Sequence, residues 1–207
     1  FLSFIASIKS CKKLLIPGSC WEYSNLKGEC LETDQALPSN NFTSAKHSLR
    51  LWVELLCKEE SISLAWFRVF YVYGPGQRPE SLIPTILTHL KKGSLPNIST
   101  PQNSNDFIFI DDVVNAFIIA TNSKFVSGIY NLGSGMSTSV LDVCRYAEEI
   151  VLNSSALTNN LAAESQAKSL KLNFWAGIAA TKENFNWLPK INLLDGITQT
   201  WENINNP

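Results

Sequence analysis

The chain has 207 residues, of which 45% are hydrophobic and 17% are charged, and its formal net charge is −1. This composition is typical of a globular protein with a sizeable core in one or two lobes, and it excludes a disordered chain. The near-neutral charge and the lack of long basic or apolar runs argue against nucleic acid partners, a membrane surface and a membrane-spanning helix.

The cysteines and the N-terminus bear on where the protein works. Five cysteines are scattered along the chain without a C-x-x-C pair. An odd number without paired spacing favours reduced thiols and therefore a cytoplasmic protein. The first residues, FLSFIASIKS, lack the charged start of a signal peptide, and their apolar spacing is typical of the end of a helix whose beginning would precede Phe1.

Strand and helix patterns alternate from the start of the chain. Lys13–Pro17 predicts a short buried strand, from whose end residues 18–23 lead away. A polar loop at 24–41 leads to a helix from about Asn40 to Glu59. Helical spacing predicts one apolar face on this helix, formed by Ala45, Leu49, Trp52, Val53 and Leu56.

The alternation continues through the rest of the chain. The strongest strand signal is residues 62–72, which end in a Tyr-Gly-Pro-Gly turn. Residues 94–105 are predicted to form a loop, and 154–169 are predicted to be the least structured stretch. Further strands are predicted at 106–110 and 128–132, and further helices at 81–92, 111–121, 139–152, 182–187 and 193–204. This order predicts an α/β fold with a parallel sheet, although no glycine-rich dinucleotide fingerprint occurs.

Five short motifs follow one another in an order that a known family shares. Residues 18–23 (GSCWEY) are similar to a Ser/Thr-x-x-x-Tyr strand end, and 42–46 (FTSAK) are similar to Tyr-x-x-x-Lys. The others are 68–79 (RVFYVYGPGQRP), 106–113 (DFIFIDDV) and 130–135 (YNLGSG). Together they resemble the NAD-dependent epimerase/dehydratase group of extended short-chain dehydrogenase/reductases, whose usual substrates are nucleotide sugars. The resemblance covers nearly the whole chain and is weak after Asn153.

The resemblance implies a fold and an assembly. It implies the C-terminal part of a Rossmann-like, doubly wound parallel sheet, joined to a small α/β substrate-binding lobe. Residues 1–75, with 106–133 returning, would belong to the NAD(P)-binding domain, and residues 76–105 and 134–207 would form the nucleotide-sugar lobe. It also implies that the first strands of the nucleotide-binding domain precede Phe1, and that the protein forms a homodimer through the Lys46 helix.

The resemblance assigns catalytic positions to Ser19, Phe42 and Lys46. The family has a tyrosine at the position of Phe42, which moves a proton to or from a sugar hydroxyl while hydride passes to or from the nicotinamide of NAD or NADP. The lysine lowers the phenol pKa and holds the nicotinamide ribose, and the strand-end hydroxyl binds the reacting oxygen. Phe42 has no proton to move, so a neighbour must substitute for it or activity is lost. The candidate substitutes are Cys20, Glu22, Tyr23 and His47.

The resemblance also implies binding residues, and no metal. The cofactor would contact Lys46, Phe70, Tyr71 and Val72, and the nucleotide sugar would contact Cys20, Tyr71, Arg78, Leu82 and Asn105. Tyr71 replaces an asparagine of the family, and Asn105 replaces an arginine that often binds diphosphate, which leaves Arg78 as the nearest obvious cation. Cys20 and Trp21 replace the Asp-Glu pair of the dehydratases. This argues against 4,6-dehydration and favours an epimerase or a reductase.

Each assignment has a structural alternative. Lys46 and Arg78 suit solvated side chains, Ser19 suits a turn, and Phe42, Tyr71 and Tyr73 suit a hydrophobic core. Asp111 and Asp112 indicate the start of a helix rather than a metal site. Two hypotheses therefore stand: an NAD(P)-dependent nucleotide-sugar epimerase or reductase, and a catalytically inactive binding or scaffold protein that retains the fold.

Overall fold

A computed structural model describes residues 7, 8, 10–164 and 172–205. Its strands are β1 (Lys13–Pro17), β2 (Lys27–Cys30), β3 (Ser63–Val69), β4 (Tyr71–Tyr73), β5 (Ser104–Asn105), β6 (Phe107–Phe109), β7 (Gly128–Leu132), β8 (Thr138–Ser139) and β9 (Asn173–Ala176). Its helices are α1 (Asn41–Glu59), α2 (Leu82–Leu90), α3 (Ile110–Asn122), α4 (Val140–Leu152), α5 (Ala156–Glu164), α6 (Ala179–Phe185) and α7 (Leu193–Asn205), with a 3₁₀ turn at Cys20–Glu22.

The strands form three sheets in which parallel pairing dominates. The first has the order β1-β3-β7 and is parallel throughout, with Phe67 of β3 opposite both Pro17 and Tyr130. The second has the order β2-β9-β5-β8, in which only β5 and β8 are antiparallel. The third pairs β4 with β6. The predicted α/β fold with parallel sheets is confirmed, and the predicted helices 81–92, 111–121, 139–152, 182–187 and 193–204 are all present with shifted ends.

The strand predicted at 62–72 is wrong as a single element, because the chain changes sheets at Phe70. β3 ends at Val69, and the Phe70 N–H still donates to the Leu132 carbonyl of β7 at 2.9 Å. The next N–H, that of Tyr71, donates to the Asp106 carbonyl at 3.0 Å, and β4 then pairs with β6. A continuous run of apolar residues suits both sheets, so composition gives no sign of the break.

Three stretches predicted to be irregular or weakly structured contain regular elements. The polar loop at 24–41 includes β2, and the loop at 94–105 includes β5. The prediction for 154–169 is wrong as far as Glu164, since α5 lies there, and 165–169 fall outside the described residues. β9 lacks any counterpart among the predicted strands. β2 and β9 have four residues each, which is too few for an alternating pattern to stand out. They pair with each other, and β9 also pairs with β5. The helix end predicted at 1–10 lies largely outside the described residues.

Helix α1 buries a different face from the one predicted. Its buried residues are Thr43, Arg50, Val53 and Cys57, and Val53 and Cys57 pack against Ile62 and Leu64. Of the predicted apolar face, Val53 is buried and Leu56 is half-buried, whereas Ala45, Leu49 and Trp52 are exposed. Trp52 is 71% exposed. Helical spacing identified an apolar stripe correctly, but most of that stripe lies on the surface of this chain.

Two apolar clusters build most of the core. One joins the β1-β3-β7 sheet to α3 and α6, and the other joins α2, α4 and α7 to the β4-β6 pair. Among the described helices, none combines the length and apolarity needed to cross a membrane. Buried side chains hold the helices against the sheets, and Trp66, Phe67, Phe109 and Trp187 are among the largest of them.

Glu148 makes the stability of the α4–α5 connection depend on pH. Its buried carboxylate accepts hydrogen bonds from the N–H groups of Leu157 and Thr158 at the start of α5, at 2.9 and 2.8 Å. Burial opposes ionisation, but these hydrogen bonds outweigh it and lower the pKa of Glu148 below its ordinary 4.5. Because the pKa is lower in the folded than in the unfolded chain, the stabilisation is present above pH 4.5 and is lost as pH falls through the folded value.

We expect Glu148→Gln to lower the free energy of unfolding by about 1–2 kcal/mol at neutral pH and to flatten its decline in acid. The measurement is urea unfolding at neutral pH and at a series of values below the ordinary pKa of glutamate. Glu149→Gln is the matched control, since Glu149 is the exposed neighbour on the same helix. Equal acid sensitivity in wild type and Glu148→Gln would contradict the assignment.

Candidate active site

The carboxyl end of β1 carries a turn that is held by a serine. Ser19 caps the 3₁₀ turn: its Oγ accepts a hydrogen bond from the Trp21 N–H at 3.3 Å, and its own N–H donates to Glu22 Oε1 at 2.8 Å. Gly18 is required here, because a Cβ at this position would overlap the Trp66 indole. Sites in open α/β sheets form at such strand ends, so the half-buried Ser19 hydroxyl lies where chemistry is expected.

Helix α1 brings Lys46 to the same strand end. The Lys46 ammonium donates to the carbonyl of Pro17, the last residue of β1, at 2.7 Å, and lies 6.0 Å from the centroid of the Phe42 ring. Phe42 is 59% exposed, so it is a surface residue rather than part of the core. Asn40 caps the helix through a hydrogen bond from the Thr43 N–H to its Oδ1, which fixes the first turn that carries Phe42. Lys46 thus connects the Ser19 turn with Phe42.

A buried charge network lies beneath this strand end. Glu22 is fully buried, and its carboxylate accepts hydrogen bonds from Trp66 Nε1 at 3.0 Å and Arg68 Nε at 3.4 Å. A second guanidinium, that of Arg50, places its Nε 3.9 Å from Glu22 Oε2. Arg68 is itself buried and stacks on the Tyr23 ring, 4.3 Å from its centroid. We call Glu22, Arg50, Trp66 and Arg68 the Glu22 network.

Three of the four predicted substitutes for the missing phenol are engaged in the interior. Tyr23 donates its phenol proton to Asn131 Oδ1 at 2.6 Å, and burial raises the pKa of Tyr23. Burial likewise raises the pKa of the Cys20 thiol, which is 2% exposed. Glu22 belongs to the network described above. His47 is half-buried, with Nδ1 3.5 Å from an Arg50 nitrogen. Cys20, Glu22 and Tyr23 are therefore poorly placed to donate a proton to an incoming ligand.

The residues predicted to bind cofactor or substrate lie in different environments. Cys20 and Phe70 are buried in one apolar cluster with Phe174, and Tyr71 packs against that cluster. Asn105 is also buried, Val72 and Leu82 are half-buried, and Arg78 is exposed beyond the Tyr73-Gly74 turn. The structure thus brings Cys20, Phe70 and Tyr71 together next to the Ser19 turn.

Asp106 anchors the Gly133-Ser134-Gly135 turn, a role that the sequence analysis missed. Its buried carboxylate accepts hydrogen bonds from the N–H groups of Ser134, Gly135 and Ala176 at 2.6, 3.0 and 3.0 Å, and from the Ser134 hydroxyl at 2.7 Å. Gly133 permits this approach, since a Cβ there would lie 2.5 Å from Asp106 Oδ2. Burial raises the pKa of Asp106 despite these donors. The N–H groups of Ser134 and Gly135 therefore donate to Asp106 and are not available to bind a phosphate.

The predicted acidic pair at the start of α3 has a structural role. The Asp112 carboxylate accepts hydrogen bonds from the N–H groups of Lys190 and Ile191 at 3.0 and 2.9 Å, and Asp111 is exposed in the first turn. The prediction of a helix start is confirmed. Within the part of the chain that the structure describes, no group of three metal-ligating side chains is gathered.

The sequence also matches a known protein family over most of its length. Residues 2–133 match the NAD dependent epimerase/dehydratase family. The chain belongs to this family. The prediction made from the five ordered motifs is therefore confirmed.

Curated relatives in the family carry several activities in their names. The chain is 31% identical over 142 residues to CDP-abequose synthase of Salmonella typhimurium, which covers 67% of this chain and 47% of that protein. It is 29% identical over 109 residues to dTDP-D-glucose 4,6-dehydratase of Dictyostelium discoideum, which covers 52% of this chain and 25% of that protein. A Bacillus subtilis protein named as an uncharacterized UDP-glucose epimerase is 26% identical over 85% of this chain and 55% of its own. The matched part of the chain thus spans about half or less of the length of the first two relatives.

Solved structures show the same fold. UDP-glucose 4-epimerase of Thermotoga maritima, solved with UDP-glucose, matches 99% of this chain and 66% of its own with a TM-score of 0.82 and 19% identity. A tyrosine-to-phenylalanine mutant of UDP-glucuronic acid 4-epimerase from Bacillus cereus, solved with a fluorinated UDP sugar and NAD, matches 99% and 65% with a TM-score of 0.80 and 21% identity. At these identities the likeness is one of fold.

Proposed function

We propose that the protein is an NAD(P)-dependent nucleotide-sugar epimerase or reductase. The observation that carries the proposal is the hydrogen bond from the Lys46 ammonium to Pro17, two residues before the Ser19 hydroxyl. That arrangement joins a cation and a hydroxyl at the carboxyl end of a parallel strand, where the family's chemistry would require them. The names of relatives and neighbours, which include epimerases and complexes with NAD and UDP sugars, support the same class.

The donors at this strand end fit the nicotinamide ribose of NAD or NADP. An ammonium has three N–H donors, and Lys46 uses one on Pro17, so two remain for ribose hydroxyls. The bound cofactor would supply the carbon that accepts or donates hydride. Lys46 would hold the ribose. The Ser19 oxygen accepts a hydrogen bond from the Trp21 N–H, and its own O–H would donate to the reacting sugar oxygen and orient it. Phe42 would be an apolar wall that keeps water from one side.

The proposal extends to the lobes and the assembly. Residues 1–75 and 106–133 would bind the cofactor, with Phe70, Tyr71 and Val72 near it. Residues 76–105 and 134–207 would bind the nucleotide sugar, with Arg78, Leu82 and Asn105 near it. A homodimer through α1 would cover exposed apolar side chains of that helix, and five free cysteines suit a cytoplasmic protein.

Phe42 favours a second candidate function. A benzyl side chain carries no proton, so a site that depends on the family's phenol at this position would bind ligands without turning them over. The protein would then be an inactive binding or scaffold protein that retains the fold. Titration with nucleotide sugar and cofactor, followed by nicotinamide absorbance, separates the two functions: binding without any absorbance change supports the inactive protein.

We expect Lys46→Met to weaken the binding of NAD or NADP by about tenfold, because the variant loses the ammonium hydrogen bonds to the ribose. The measurement is calorimetric titration of the protein with each dinucleotide. Lys58→Met is the matched control, since Lys58 is exposed near the other end of the same helix. Equal affinities in wild type and Lys46→Met would count against the proposed role, and no binding to wild type would count against the proposed function.

A further inference from the structure

The tyrosines of the chain differ in whether their phenols have partners. Of five tyrosines, three donate hydrogen bonds inside the protein: Tyr23 to Asn131 Oδ1, Tyr73 to the Leu193 carbonyl and Tyr130 to the Val126 carbonyl. Tyr146 is 39% exposed on α4, a helix that packs against α2 and α7. Tyr71 is half-buried, yet its phenol makes no hydrogen bond with any residue that the structure describes.

Tyr71 lies against the turn that carries Ser19. Its ring centroid is 6.2 Å from that of Trp21, two residues after Ser19, and Tyr71 packs against the apolar cluster that contains Cys20. The Tyr71 ring centroid also lies 5.8 Å from that of Phe107 and 6.1 Å from that of Phe174. Three aromatic neighbours therefore hold the ring, while its hydroxyl has no hydrogen-bond partner in the described part of the chain.

An unpaired, half-buried phenol is a hydrogen-bond donor that a ligand can satisfy. A ligand oxygen that accepts a hydrogen bond from this phenol meets a donor for which no described residue competes. Burial also raises the pKa of Tyr71 above its ordinary 10, so the phenol keeps its proton at neutral pH. A protonated phenol can give its proton to the oxygen of a ketone that is being reduced, because that oxygen becomes strongly basic as hydride reaches the carbon. Trp21 beside it is 41% exposed and offers an indole surface to the same ligand.

We propose that Tyr71 supplies the phenol that Phe42 lacks, and that it protonates the carbonyl oxygen of a keto-sugar nucleotide. The inference rests on the proposed function and narrows it to reduction. The carbonyl carbon of the sugar accepts hydride from a reduced nicotinamide, which forms the new C–H bond as the C=O π bond breaks. The carbonyl oxygen takes the Tyr71 proton, so the sugar ketone becomes an alcohol and the dihydronicotinamide becomes nicotinamidium. The resulting tyrosinate regains a proton from water.

The test moves the hydroxyl between positions 71 and 42. The variants are Tyr71→Phe, Phe42→Tyr and the two together, with Tyr146→Phe as the control for loss of a phenol elsewhere. Binding of UDP-glucose is followed by calorimetry and tryptophan fluorescence, and reduction of UDP-4-keto-6-deoxy-D-glucose is followed by NADH and NADPH absorbance. We expect Tyr71→Phe to bind about fivefold more weakly and to reduce the ketone about 10²-fold more slowly. The double variant should regain most of the rate, and Tyr146→Phe should match wild type.

The outcomes separate this inference from the proposed function. Recovery by the double variant, with little gain in Phe42→Tyr alone, supports a role for the hydroxyl itself, because one phenol then replaces the other. Unchanged binding and turnover in Tyr71→Phe overturn the inference, as does turnover that appears only when Phe42→Tyr is introduced. If wild type binds neither dinucleotide nor UDP-glucose, the proposed function fails at that first step and the inference fails with it.

Discussion

Glu22→Gln is expected to lower the free energy of unfolding by about 3–5 kcal/mol, the range for breaking a buried ion pair from one side. The carboxylate is fully buried between Arg68, which is itself buried, and Arg50. Glutamine has nearly the same shape, so no cavity forms and the loss is electrostatic. Two guanidinium groups would then share the interior with a neutral amide, and Trp66 Nε1 would lose a charged acceptor.

Urea unfolding followed by tryptophan fluorescence measures this effect. Glu54→Gln is the control, because Glu54 pairs with Arg50 at the edge of the same network but is 37% exposed. An exposed pair of this kind contributes less than about 1 kcal/mol. A loss below about 1 kcal/mol in Glu22→Gln, or equal losses in both variants, would mean that the network does not hold the strand end together.

Asp106→Asn is expected to cost about 3–4 kcal/mol, since hydrogen bonds to a charged acceptor contribute about 1.5–3 kcal/mol each and several are disturbed at once. Each carboxylate oxygen accepts two hydrogen bonds: Oδ1 from the N–H and hydroxyl of Ser134, and Oδ2 from the N–H groups of Gly135 and Ala176. The amide nitrogen of asparagine would face two of these donors with its own N–H groups. The turn after β7 and the end of β9 would then separate from the residue that precedes β6.

The effect can be followed by thermal unfolding and by hydrogen exchange at Ser134, Gly135 and Ala176. We expect faster exchange at these three amides in Asp106→Asn, beyond what global destabilisation explains. Asp111→Asn is the control, because Asp111 is exposed in the first turn of α3 and should contribute about 0.3–1 kcal/mol. Unchanged protection at the three amides would show that another acceptor satisfies them.

The sequence was sufficient to predict the family and the α/β class, because both depend on patterns within short stretches of the chain. The motifs around Ser19, Lys46 and Arg68 each occupy a few consecutive residues, and strand and helix periodicity repeat between them. The Lys46 ammonium lies at the end of β1, although no local pattern predicted its hydrogen bond to Pro17.

The sequence was insufficient wherever a feature depends on residues far apart in the chain. The donors to Asp106 come from residues 134, 135 and 176, so a lone acid before a strand gave no hint of its role. The break at Phe70 depends on which strand lies alongside, and the exposure of Trp52 depends on what covers α1. The contact between Tyr71 and Trp21 likewise joins the first residue of β4 to the 3₁₀ turn, two elements that no local pattern connects.

The pairing of β2 with β9 has a consequence for how the protein forms on the ribosome. Lys27 lies opposite Asn173, so a strand near the start of the chain has its partner near the end. β1 meets β3 much earlier in synthesis, and the β1-β3-β7 sheet can close while the C-terminal segment is still being made. Such distant pairings are slow to form and leave intermediates prone to aggregation. Cys30, which shares a buried apolar cluster with Phe174 in the folded protein, stays in water until residues 173–176 have been made, so we expect this sheet to assemble after the β1-β3-β7 sheet.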